Sequence, residues 1–116
     1  MGLKDLVKRF TTPVEEIDAG RLHDRFAALG LTDIAQLPMR TPSRFGGQVK
    51  RLRIVPRSGI PSLEVVVEDG TGHAVLVFSG RRELAGLEHG RHMTVEGVAH
   101  LERGHKVVLN PAYMLL

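Results

Sequence analysis

Apolar positions change their spacing near residue 42, and the change divides the chain into two parts. In the first forty residues the spacing is helical. Leu3, Leu6, Val7 and Phe10 recur every three or four places with Lys4, Lys8 and Arg9 between them, which predicts a short amphipathic helix. "TTPVEE" opens a second helix: Thr12 is placed to cap it, Pro13 suits the first helical position and Glu15 stands three residues after the cap. Val14, Ile17, Leu22, Phe26 and Leu29 supply its apolar stripe, and Gly30 its stop. "TDIAQLP" predicts a third short turn, capped by Thr32 and ended by Pro38.

After Pro42 the pattern is that of strands. "RFGGQVKRLRIVP" carries Val49, Leu52 and Ile54 with basic residues interleaved, and Gly46-Gly47 would let this first strand bend sharply. "SLEVVVEDG" is the second strand, "EDGTG" a tight turn with the Asp-Gly signature of a hairpin, and "HAVLVFS" the third strand. "GRRELAGLEHG" reads as a short helical or looped link. "RHMTVEGVAHLE" is the fourth strand, "RGH" a turn, and "KVVLNPAYMLL" a fifth strand broken by Pro111. Five strands with a short insert between the third and fourth follow the order of an OB-fold, a small and partly open barrel. The expected fold is therefore mostly β with N-terminal α: a helical arm of two or three short helices over residues 1–40, then a five-stranded OB-fold barrel over residues 41–116. An SH3-like barrel is the rival, but the insert falls late for it.

Charge sharpens this division. The net charge is +3. Residues 1–40 hold six basic and six acidic side chains and cancel, so the excess lies entirely in the strand region. Between Arg44 and Arg57 stand Arg44, Lys50, Arg51, Arg53 and Arg57 with no acid among them. Such a stripe is the electrostatic footprint of a polyanion binder, and also a common solvated surface. The chain has no cysteine, which excludes disulfides, thiolate metal sites and sulfur nucleophiles and fits a reducing compartment. No run approaches the length of a membrane span and "MGLKDLVKRF" is too charged for a secretory segment. The expectation is a cytoplasmic protein without membrane contact.

"IPSLEVVVEDGTGHAVLVF" and "LEHGRHMTVEGVAHLERGHKVVLNPAYMLL" together resemble the OB-fold nucleic-acid-binding family. The likeness is closest to the wedge domain of the RecG helicase and to small stand-alone actinobacterial OB-fold proteins. It rests on a strand ending in Asp-Gly-Thr-Gly, a strand ending in an aromatic, a Gly ahead of a "VEG" strand and a final "NPAY" strand, over residues 44–116. "GLTDIAQLPMRTPSRF" is more loosely similar to the segment that leads into such wedges. The resemblance implies non-catalytic DNA-binding, to single-stranded or branched DNA, with RNA as another ligand. No Gly-rich phosphate loop with its Lys and Ser or Thr accompanies it.

OB-folds bind through the face of strands two and three and the loops after strands one and four. That places Arg57 in one loop and Arg103 and Lys106 in the other, with Lys50, Arg51 and Arg53 on the first strand and Arg81 and Arg82 beyond the third. Cationic donors at such spacing meet successive phosphates. Phe78 is the candidate stacking platform, core being its alternative. Ser79 and Gly80 follow it where the family commonly shows larger or paired aromatics, so this chain departs from the family at that point.

No metal site, cofactor or catalytic residue is expected: the six histidines lack carboxylates at ligand spacing, and Glu64, Glu68 and Asp69 read as ordinary strand and turn positions. The competing reading is a protein-interaction module of the same fold. The third strand is apolar on both faces, Val75 and Val77 on one and Ala74, Leu76 and Phe78 on the other. One face must be covered by the helices, by a protein partner or by a second copy in a homodimer.

Overall fold

The computed structural model describes residues 13–116; the helix expected over residues 2–10 and the cap at Thr12 lie outside them. The described chain consists of helix α1 (Pro13–Ala28), a single 3-10 turn (Ile34–Gln36) and six strands: β1 (Pro42–Arg57), β2 (Ile60–Glu68), β3 (His73–Ser79), β4 (His92–Glu102), β5 (His105–Leu109) and β6 (Ala112–Leu115). No described helix is long and apolar enough to cross a membrane.

Five strands close into a ring in the order β1-β2-β3-β5-β4 and back to β1. β1 makes closure possible by belonging to two pairings: Pro42–Gln48 runs antiparallel to β4, and Gln48–Arg57 antiparallel to β2. The register shifts between Val49 and Arg51, so Lys50 is bulged and the strand turns there. The glycines expected to bend β1 also answer a packing requirement. A Cβ on Gly46 would overlap the ring of Phe26 from α1, and one on Gly47 would lie 2.6 Å from Val67 Cβ inside the ring. Each glycine is required by what packs on its own side of the strand.

β3 and β5 pair in parallel, the other pairings being antiparallel. Pro111 divides the expected fifth strand into β5, which completes the ring, and β6, which pairs with β4 on the edge opposite β1. The link between β3 and β4 is looped and contains no helix. Inside, Phe45, Val49, Val65, Val67, Leu76, Met93, Val95 and Val108 form the core, and Ile34 and Leu37 from the 3-10 turn bury against them.

Helix α1 ends as its sequence predicts. Leu31 N donates to Phe26 O and Gly30 N to Ala27 O, with Gly30 at φ 72°, the paired bonds of a glycine-terminated helix. Of the expected stripe, Leu22 and Phe26 are buried with Leu31 against the outside of β1, while Ile17 and Leu29 are exposed.

The 3-10 turn is capped from a distance. Asp33, not Thr32, precedes it, with no capping bond of its own; its Oδ1 lies 3.0 Å from His23 Nε2 of α1. The bond comes instead from Asp69 in the β2–β3 turn, whose Oδ2 accepts from Ile34 N at 2.9 Å. Asp69 Oδ1 accepts from Thr71 N, Thr71 Oγ1 and Gly72 N at 2.9, 2.7 and 3.2 Å. The side chain accepts four bonds while the residue is 1% exposed.

Asp69→Asn would turn an amide N–H2 toward donors that need an acceptor, leaving buried groups unpaired. It is expected to cost about 3 kcal/mol, read as a lower urea midpoint with unchanged slope. An unchanged midpoint would remove Asp69 from this role.

Candidate functional site

β1 is long and continues past its pairing with β4, so its second half and β2 rise as a hairpin beside β3 and β5. Strand alternation sends Arg51, Arg53, Val55 and Arg57 to the outer face. In register across that face run Arg53, Glu64, Val77 and Leu109, and next to them Arg51, Val66, Val75, Val107 and His100. The result is an open groove of about 570 Å³ lined by Val55, Val75 and Val107 and by Arg53, Arg57, Glu64, Glu102, Arg103 and His105.

The groove lies between two hairpin turns of the same kind. Ser58-Gly59 joins β1 to β2 with φ 51° and 77°, and Arg103-Gly104 joins β4 to β5 with φ 51° and 80°. Positive φ at both central residues is the two-residue geometry that matches strand twist, normally filled by Asn-Gly, Asp-Gly or Gly-Gly. Arginine in the first position is disfavoured by about 1 kcal/mol or more.

Ion pairs span the groove. Arg53 Nε and Nη2 donate to Glu64 Oε1 at 3.0 and 2.8 Å. Arg57 donates from both terminal nitrogens to Glu102, at 2.7 and 3.2 Å, and His100 Nε2 lies 3.4 Å from the same carboxylate. The Arg57 pair latches the β1–β2 hairpin to the β4–β5 hairpin. Hydrogen bonding from Arg57 holds the Glu102 carboxyl below the usual carboxylate range against the opposing effect of burial, with a lesser contribution from His100; the bond to Glu102 raises Arg57 in turn. Arg103 forms no ion pair among the described residues.

Of the cations expected at a binding surface, Arg53, Arg57 and Arg103 line the groove, and Arg51 is exposed on the same face in register with Val66. Arg81 and Arg82 are exposed in the loop after β3, outside the lining. Lys50 pairs with Glu68 at 3.2 Å and faces α1. Lys106 Nζ donates to Ile34 O and is spent on the 3-10 turn. Phe78 is 6% exposed, inside the ring, with its ring centre 5.5 Å from that of Tyr113 in an edge-to-face arrangement; it offers the groove no face for stacking. Val77 and Val107 are buried in the outer face although α1 packs on β1 rather than over β3.

The sequence reading missed the two carboxylates of the groove. Glu64 was findable, because hairpin register puts it opposite Arg53; Glu102 was not, being 45 residues from Arg57. Among the described residues no cluster of His, Asp or Glu could hold a metal. No family model matches the chain, and neither does any curated protein.

Because Glu102 is depressed in the folded state, the latch contributes fully above the ordinary glutamate value of about 4.3 and is lost as pH falls through the lower folded value. Glu102→Gln should therefore flatten the acid limb of stability against pH, measured by urea midpoints across that range. An acid limb identical to that of the unaltered protein would contradict the latch.

Proposed function

We propose that the ring is an OB-fold barrel and that the chain is a non-catalytic binding domain for single-stranded or branched nucleic acid, held by its phosphates. The parallel β3–β5 pairing and the strand order support the fold reading. The groove, bounded by the β1–β2 and β4–β5 turns, corresponds to the face and loops through which OB-folds bind oligonucleotides. The resemblance to helicase wedge domains in the sequence points the same way.

One observation carries the functional reading. Arg103 occupies a backbone position that glycine, asparagine or aspartate would fill at lower cost, at the edge of the groove and without an ion-pair partner among the described residues. A strained residue at the edge of a groove motivates a functional hypothesis. A guanidinium there donates to phosphate oxygens in a planar fork.

Arg53 and Arg57 reach a strand only by exchanging Glu64 and Glu102 for phosphate, so those carboxylates moderate affinity. Among the described residues no Phe, Tyr or Trp lines the groove, so contact is mainly with backbone phosphates rather than stacked bases, and sequence preference is weak.

Fluorescence anisotropy with labelled single-stranded, forked and duplex DNA and single-stranded RNA, at several salt concentrations, tests this. The expected outcome is saturable binding whose log affinity falls with log salt at about 0.7 per phosphate contact for single strands. Arg103→Asn should weaken every ligand and lower the slope while leaving stability unchanged or raised; Glu102→Gln should strengthen binding. Absence of binding to all four at low salt would overturn the reading in favour of a protein-interaction module.

A further inference from the structure

A second basic depression lies on the other side of the Lys50 bulge, where α1 meets the ring. Arg21 and Arg25 stand one helical turn apart and face Lys50 and His92 across an open cavity of about 490 Å³, with Asp18 and Gln48 completing its wall. Like charges four residues apart on a helix repel and destabilise it. Lys50 adds a third cation from the bulge, and the helix cannot turn its arginines away because Leu22 and Phe26 are buried on the ring.

The charge is cancelled only in part. Lys50 is paired with Glu68, and Asp18 is the acid in the lining. Arg21 and Arg25 form no ion pair among the described residues. His92, at the start of β4, packs with its ring centre 5.7 Å from that of Phe26 and keeps Nδ1 buried with no hydrogen-bond partner among the described residues. Burial first, then the charges of Arg25 and Lys50, hold its imidazole below the ordinary histidine value.

We infer that this junction is an anion site that takes a phosphate group between the guanidiniums of Arg21 and Arg25 and the ammonium of Lys50, with His92 in its wall. A phosphate offers acceptors to two guanidiniums and an ammonium at once and relieves the repulsion between them. The site stands apart from the groove and does not depend on the reading given there. Its phosphate could come from two sources: a free phosphate or nucleotide, or the backbone of a strand.

The test is an NMR titration of the full chain with inorganic phosphate at constant ionic strength, following the His92 imidazole. Saturable movement of His92 is expected, together with a rise in its pKa toward the ordinary value, because a nearby anion favours the imidazolium. Arg21→Gln with Arg25→Gln retains helix propensity and removes the i, i+4 repulsion, so the variant should fold at least as well. It should bind phosphate about a hundredfold more weakly, the loss of two charge-assisted hydrogen bonds.

An unmoved His92, or equal movement in the double variant, would overturn the site. A single-stranded oligonucleotide that moves His92 assigns the site to a strand's backbone. One that leaves His92 still, while phosphate moves it, assigns it to free phosphate.

Discussion

The buried carboxylate of Asp69 joins two parts of the molecule that lie 35 residues apart in the sequence. Through one oxygen it organises the β2–β3 turn; through the other it holds the backbone N–H of Ile34, so the 3-10 turn is held at the ring. Lys106 grips the carbonyl of the same residue from β5. Ile34 is thereby held from both polar groups of its backbone, and its side chain is fully buried in the ring core. A buried charged group is tolerable when its acceptors are filled, and here the four donors that fill them also position the plug.

Closure of the ring has consequences for the outer surface. A strand shared between two partners must turn, and β1 turns at Lys50. The bulge separates a first half covered by α1 from a second half that stands free with β2 and forms one wall of the groove. Two electropositive depressions follow from one strand, with Arg53 and Arg57 beyond the bulge and Lys50 at it. They differ in how charge is handled. In the groove, arginines are matched by Glu64 and Glu102, which also fasten the hairpins together. At the helix junction, Arg21 and Arg25 crowd toward Lys50 and an underprotonated histidine. The first arrangement trades one set of charge-assisted bonds for another when an anion arrives; the second gains the bonds of Arg21 and Arg25 and shares Lys50 with Glu68.

Much of the strand layout was legible because period-two alternation reports which face of a strand is buried, and the interior valines and Leu76 follow it. The stop at Gly30 and the break at Pro111 were legible for a similar reason: both act through the backbone of the residue itself. Thr32 misled because a local cap is only one way to satisfy a helix terminus, and Asp69, 35 residues away, satisfied this one. Gly46 and Gly47 were legible as glycines that let the strand bend, but their second requirement, Phe26 on one side and Val67 on the other, was not. The arginines of the first forty residues cancelled in a charge count, which hid Arg21 and Arg25, although their spacing of four was there to be read.

What the sequence by itself determined was the class of structure and the places where basic side chains accumulate, because propensity, alternation and turn chemistry are properties of short segments. Only the tertiary structure decided which cations remain available. That depends on carboxylates brought from remote strands to Arg57, on a carbonyl that engages Lys106 and on burial that takes Phe78 into the core. Each is a matter of distance in space, and electrostatic and hydrogen-bond energies depend on that distance rather than on separation along the chain.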